Sequence, residues 1–480
     1  RLAMLAEHWH RAGDHAEAFA AQRRAAERAQ RKFAHREASI LLQRAVDNGE
    51  KVGVDSLELA RLAEQLGDAA ELAGRFDAAI IGYRTARRHR PQHDDSQVGL
   101  LRKEGLVRER LGRYDAALAW FRRGLREVAD RRDPLATLHR AELEIAYAGV
   151  RFRQGKLRNC VRWCERALED SAAADEPKTA AHANYMMGAA LAGLNDDRAA
   201  DYEGRAVEIY RELGDHLGLG RALMNRGVSA DEQGDFDAAA DLYQQSRQAL
   251  LRAGYALGLA HVSQNLAEIR SDQGRLSEAE ELLRDARRAA TAAQYSMMIW
   301  ATMCSLGRVA TRARRCDDAL DLLSRARQGF EDIGAASWAV ETWVLAAEAH
   351  LFAKEPNEAL DALDAARRYG DEAFEAAGVE ALELRVRGCA LSAIGKQAEA
   401  LDLVRRSHDE AVAQGADFDR LLSLVELARL PGTDPHQSAE AIALAKQISE
   451  RMHVDLRVVC ANSATLPPTL VADGTNTVPA

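Results

Sequence analysis

The chain is short of the residues that sheets, membranes and disulfide frameworks need. Aromatic residues fill 5% of its 480 positions and only nine residues are proline, while 47% are apolar, a balance that suits helices far better than strands. Six cysteines, at positions 160, 164, 304, 316, 389 and 460, have no framework spacing, which predicts free thiols in a reducing cytoplasm. No apolar run approaches the roughly 20 residues of a membrane helix, and no basic-then-apolar signal opens the chain. Positive charge is in deficit too: the net charge of −9 argues against a general binder of nucleic acid or anionic membrane. That deficit is uneven, with 35 basic and 30 acidic side chains in residues 1–200 against 30 and 44 in residues 201–480. Drifting composition of solvated helix faces accounts for it, and ends that face different partners are the second reading.

What the chain has in abundance is one hexapeptide. GDFDAA, from Gly234, returns as GDHAEA from Gly13, GRFDAA from Gly74, GRYDAA from Gly112, GRLSEA from Gly274 and GKQAEA from Gly395. Adding Gly155, Asn195, Arg314 and Lys354 gives ten anchors whose spacings, after a first gap of 61, are 38, 43, 40, 39, 40, 40, 40 and 41. At 480 residues the chain exceeds one ordinary core, and a period near 40 identifies stacked supersecondary units. Seven residues before each anchor stands Gly or Ala: Ala6, Gly67, Gly105, Ala148, Gly188, Gly227, Ala267, Gly307, Ala347 and Gly388. Five residues after it stands a second small residue: Ala18, Ala79, Ala117, Cys160, Ala200, Ala239, Ala279, Ala319, Ala359 and Ala400.

Such spacing predicts antiparallel helix pairs whose backbones approach at the small residues, Gly227 against Ala239 for example. Positions four and seven beyond the second small site, such as Tyr83 and Ala86, Phe121 and Gly124, or Tyr243 and Ser246, are expected to form the seam to the next unit. Gly214, Gly254, Gly334, Gly370 and Gly415 fall where second helices should stop, and Pro134, Pro177 and Pro356 where helices should begin. Helices of roughly 16–18 residues, about 25 Å long, follow from the period. The predicted fold is all-α, an α-solenoid of about ten pairs.

These units resemble tetratricopeptide repeats in a longer variant near 40 residues, with HEAT and armadillo arrays ranked second. The best match is "NRGVSADEQGDFDAAADLYQQSRQAL", residues 225–250, where Gly227, Gly234, Ala239 and Tyr243 occupy the family's defining positions, and Trp343 falls on its tryptophan site. The unit at Asn195 departs from the pattern: it lacks the turn glycine and has Gly204 where an aromatic belongs, which points to a one-residue shift or to a locally loose unit. Altered turn geometry is expected at Asn195, Arg314 and Lys354. The gap of 61 leaves room for one extra helix, "HREASILLQRAVDNG".

Candidate chemistry is sparse. Cys160 and Cys164 have the i, i+4 spacing of helix-borne metal ligands, but the register already explains both as packing positions. His8 and His10 lie on different helix faces and read as solvent-facing. Gly155-Lys156 and Gly395-Lys396 lack the first glycine of a phosphate loop, and GVSAD at Gly227 lacks the second glycine of a nucleophile elbow. The basic runs at Arg87–Arg90, Arg122 and Arg131 read first as helix exteriors and second as a surface for an acidic partner. No catalytic, metal or cofactor residue is predicted.

A second resemblance concerns residues 5–46 and 60–88, "LAEHWHRAGDHAEAFAAQRRAAERAQRKFAHREASILLQRAV" and "ARLAEQLGDAAELAGRFDAAIIGYRTARR". They resemble the junction after the ATPase module in large bacterial signalling proteins that join a class III adenylate/guanylate cyclase, or a DNA-binding domain, to an AAA or STAND ATPase and a tetratricopeptide-like region. The likeness implies a non-catalytic sensor region whose parent binds ATP and Mg in N-terminal domains outside this chain. The partners it implies are those domains, together with a protein or peptide on the concave face, and neither nucleic acid nor membrane. Alternatives are the sensor arm of a large ATP-dependent transcriptional activator, a free-standing scaffold, or an enzyme in its own right. Arg1 stands inside what already reads as a helix, so the chain is expected to be a fragment or the C-terminal part of something longer. The expected organisation is junction helices with one irregular repeat over 1–54, the repeat array over 55–430, a capping helix region over 431–462 and a disordered tail over 463–480.

Overall fold

The computed structural model describes residues 4, 8–9, 11–32, 34–91, 94–292 and 294–456. His10, the Ala6 small site, Cys460 and the tail over 463–480 lie outside the described residues. Every regular element among the described residues is an α-helix, and the chain divides into two compact units, Arg1–Leu213 and Gly214–Ala480. The run expected to be one array over 55–430 therefore contains a division.

In the first unit, α1 (His15–Arg31) and α2 (His35–Val52) precede four pairs: α3 (Ser56–Leu72) with α4 (Phe76–His89), α5 (Ser96–Arg110) with α6 (Tyr114–Glu127), α7 (Pro134–Arg153) with α8 (Leu157–Ala173), and α9 (Pro177–Ala192) with α10 (Ala199–Glu212). Helix α2 fills the 61-residue gap. The second unit contains α11 (His216–Glu232), α12 (Phe236–Arg252), α13 (Ala256–Asp272), α14 (Leu276–Ala292), α15 (Ser296–Arg312), α16 (Cys316–Asp332), α17 (Ala336–Phe352) and α18 (Pro356–Arg367). A short α19 (Asp371–Ala377) follows, then α20 (Glu380–Ala393), α21 (Gln397–Gln414), α22 (Asp417–Arg429) and α23 (Pro435–Arg451). Starts are chemically marked: Asp55, Asp133, Asp215, Asp235 and Asp434 each accept a backbone N–H of the first turn, and Pro134, Pro177, Pro356 and Pro435 open their helices.

All ten anchors adopt the left-handed conformation, with φ from 54° at Asn195 to 88° at Gly395. Each ends a first helix with the same closure: Asp235 N donates to Ala230 O at 2.9 Å, Arg315 N to Ala310 O at 2.9 Å and Glu355 N to His350 O at 2.9 Å. The expectation of altered geometry at Arg314 (φ 61°) and Lys354 (φ 64°) is thus corrected, because the closing bond dictates the conformation whatever the side chain. Asn195 closes alike, through Asp196 N to Leu191 O at 3.0 Å, but α10 then starts at Ala199, four residues after the anchor. Ala200 is consequently exposed instead of lying at the crossing, and Glu203, not Gly204, sits over Gly188.

The pair crossing also differs from expectation. A Cβ on Gly227 would lie 2.5 Å from Tyr243 Cε1, one on Gly67 2.3 Å from Tyr83, and one on Gly105 2.2 Å from Phe121. Gly307 meets Leu323 and Gly388 meets Val404 in the same way. The glycine accommodates the large residue of its own pair, and Ala239 (0% exposed) packs one turn earlier along α12. Tyr243 still reaches the neighbouring pair through a hydrogen bond between its hydroxyl and Asn265. The other marked positions fall in two groups. Ala79, Ala117, Ala279, Ala319, Ala359 and Ala400 are fully buried, whereas Gly74, Gly112 and Gly274 are turn residues with φ between 69° and 77°.

The second unit closes on itself. Leu421, Leu424 and Val425 of α22 and Ala445, Ile448 and Met452 from α23 and its C-cap share one buried cluster with Phe236, Leu266 and Ile269. The Phe418 ring lies 6.3 Å from that of Phe236, and the Arg312 guanidinium stands 5.4 Å over it. The C-terminal helices are a hairpin that returns to the unit's first two pairs, more than the cap expected over 431–462.

Candidate binding surfaces

Within each unit, first helices of successive pairs lie side by side and carry much of its polar chemistry. In the first unit, Lys103 Nζ donates to Glu64 Oε1 at 2.9 Å and to Asp68 Oδ1 at 2.7 Å. The Tyr83 hydroxyl lies 2.9 Å from Asp68 and 2.7 Å from Glu71, and Arg110 pairs with Glu71 at 3.1 Å. Burial, then the Asp68 and Glu71 carboxylates, push this phenol far above its ordinary range. Burial would lower the Lys103 ammonium, but its bonds to Asp68 and Glu64 outweigh that and hold it raised. Further along, Arg102 pairs with Glu142 at 3.2 Å and Arg153 with Glu109 at 2.7 Å. Arg140 grips Asp170 through two nitrogens, at 2.7 and 3.1 Å. Beside it Glu144 is 5% exposed with Oε2 unbonded, and burial followed by the Asp170 charge pushes its carboxyl up to about 8.

In the second unit a charged array runs along α11, α13, α15, α17, α20 and α22. Arg308 pairs with Glu341 at 3.4 Å, and Arg312 donates to Asp272 at 2.5 Å and Ser271 at 2.6 Å. Arg385, 5% exposed, donates to Asp419 at 2.9 Å. Burial would lower the Arg308 guanidinium, but Glu341, Glu268 and Asp272 hold it well above its usual value. Glu341 is itself raised, by burial first and Glu268 second, against the pull of Arg308. Burial, then Asp272 and Glu268, push Asp231 up to about 7. Acidic groups outnumber arginines here, and the array meets Phe418 where the C-terminal hairpin returns.

This array is absent from the sequence-derived candidates, although a signal exists. Asp68, Glu268, Arg308 and Glu348 directly follow the small residue of their helices, Gly67, Ala267, Gly307 and Ala347, so one register position on successive first helices is charged. The residues that the sequence singles out for chemistry stay apart. Cys160 and Cys164 are buried free thiols with Sγ atoms 4.0 Å apart, and His8 is exposed. Lys156 and Lys396 cap α8 and α21, and GVSAD lies within α11. Among the described residues no group of three or more His, Cys, Asp or Glu is placed to hold a metal ion, and no helix is long and apolar enough to cross a membrane.

No protein-family model matches the chain, and no curated protein matches it in sequence. Solved structures do match in fold. The signal-transduction ATPase with numerous domains from Pyrococcus horikoshii, which has a tetratricopeptide-repeat sensor, is 12% identical with a TM-score of 0.53, over 76% of this chain and 55% of that one. A Rap protein solved with competence and sporulation factor is 11% identical with a TM-score of 0.46, over 82% of this chain and 99% of that one. The quorum sensor NprR from B. thuringiensis, in its apo form, is 12% identical with a TM-score of 0.48, over 74% and 97%. The fold is a tetratricopeptide-like α-solenoid.

Proposed function

We propose that the chain is a non-catalytic interaction and sensor region that regulates signalling domains attached to it, the parent being an ATP-binding adenylate or guanylate cyclase. The observation that carries this reading is the second unit's inner array, where Arg308, Arg312 and Arg385 sit among a larger number of carboxylates on adjoining first helices. A peptide or protein segment laid along that surface exchanges these internal pairs for pairs with itself, and the hairpin bearing Phe418 registers the exchange because it packs against Arg312. Fold similarity to an ATPase that carries a repeat sensor agrees with this architecture. A long row of adjoining first helices is a surface suited to binding an extended partner.

The test is to express the gene's whole reading frame and to measure ATP hydrolysis and cyclic-nucleotide formation with wild-type sequence and with Arg308→Glu. The expected result is an activity whose basal level or response shifts at least threefold while helical content is unchanged. A reading frame without ATPase or cyclase domains, or an activity indifferent to Arg308, overturns the proposal.

A further inference from the structure

A second surface, in the first unit, has a different electrostatic character. Residues 75–132 carry fifteen basic and eight acidic side chains in a chain that is acidic overall. Where α4, α5 and α6 meet, three guanidiniums gather on one indole: Arg108, Arg87 and Arg123 stand 4.6, 4.8 and 5.7 Å from the Trp120 ring centroid. One carboxylate serves this group. Glu104, fully buried, accepts from Arg87 at 3.0 Å and lies 3.4 Å from Arg108, which also donates to the Glu104 carbonyl at 2.7 Å.

Around that core stand Arg84 and Arg113, both exposed and close enough for their charge to act on Arg87 or Arg108. Glu104 pairs with Arg87 and Arg108, and the exposed three, Arg84, Arg113 and Arg123, have no carboxylate partner among the described residues. Like charges gathered at partly buried sites repel, and burial strengthens the repulsion because water screens it less. Burial lowers both the Arg87 and Arg108 guanidiniums below their ordinary value, Glu104 pulls them back up in part, and the neighbouring arginines lower them further. The indole face offsets part of this repulsion, since its quadrupole attracts cations. Anions from outside relieve what remains at the partly buried sites more effectively than water does.

We propose that this arginine cluster around Trp120 is a docking surface for an acidic, Asp- and Glu-bearing protein segment. Planar guanidinium forks match planar carboxylates two bonds at a time, and three unpaired forks suit a short run of side-chain carboxylates. The chain's net charge of −9 opposes a long polyanion while leaving a local cationic surface open to a short one.

The experiment titrates the full chain into a fluorescein-labelled deca-glutamate peptide and reads fluorescence polarisation at low and physiological salt, with a ten-nucleotide uridine RNA in parallel. Wild type is expected to bind the peptide more tightly than the RNA and to weaken as salt rises. Arg84→Glu with Arg123→Glu is expected to weaken peptide binding at least tenfold, and Trp120→Leu at least threefold. Arg325→Glu with Arg406→Glu, the same change of net charge placed elsewhere, is expected to stay within twofold of wild type. Should the first double variant lose helical circular dichroism, Arg113→Glu, at an exposed turn, is expected to give the same directional loss. No binding by wild type, equal losses in the two double variants, or tighter binding of the RNA overturns the proposal.

Discussion

Replacing Gly227 by alanine tests the pair crossing, because the two effects of the change oppose each other. Alanine is the better helix former by about 1 kcal/mol in a helix interior. Its Cβ, however, would lie 2.5 Å from Tyr243 Cε1, and Tyr243 is 1% exposed with no room to retreat. Overpacking of this kind costs roughly 1–3 kcal/mol, so Gly227→Ala should destabilise by about 1 kcal/mol net. Tyr243→Leu alone leaves a cavity and should cost roughly 2–3 kcal/mol. Combined, the two changes reproduce pairings the chain already uses, Ala267 with Leu283 and Ala347 with Leu363. The double variant should therefore be more stable than the sum of the single changes by about 1–2 kcal/mol. Urea unfolding of the full chain followed by far-ultraviolet circular dichroism gives all four stabilities. Additivity within about 0.3 kcal/mol would refute the crossing as described.

Further expectations follow from single sites. Lys354 is exposed with φ 64°, so Lys354→Gly should stabilise by roughly 0.5–1 kcal/mol in thermal unfolding, with a loss of stability the contrary result. Glu144 is held at about 8, so its contribution to stability is full below the unfolded carboxyl value and is lost as pH rises through about 8. Glu144→Gln should flatten that part of the stability profile and stabilise by roughly 1–3 kcal/mol above it, and an unchanged profile would count against the burial argument. Leu421→Ala removes a fully buried side chain of the C-terminal hairpin and should cost roughly 2–4 kcal/mol. Hydrogen exchange should then quicken at Phe236–Ala240, which shares its cluster, and indifference there would contradict the closure of the second unit.

The architecture was legible because it repeats. Each left-handed turn residue is displaced by about 40 from the last, and glycine at seven of the ten anchors marks the conformation directly. At Arg314 and Lys354 side-chain identity is a weaker guide than the closing hydrogen bond, which holds its geometry at a cost of about 1 kcal/mol in a non-glycine residue. The partner of each crossing glycine has a signature in the sequence that the spacing of small residues does not carry: aromatic residues stand only opposite glycine, at Gly67 with Tyr83, Gly105 with Phe121 and Gly227 with Tyr243. Return of the C-terminal hairpin to Phe236 joins residues some 180 positions apart, and no local pattern encodes such a contact. Nor does periodicity announce the division at Leu213 and Gly214, since the spacing continues unbroken across it.

The proposed regulation of attached catalytic domains by the second unit's charged surface is read out by cyclic-nucleotide formation from the complete gene product carrying Arg308→Glu. At least a threefold shift in activity with the helices intact is expected, whereas wild-type activity, or a gene product that forms no cyclic nucleotide at all, would rule that regulation out.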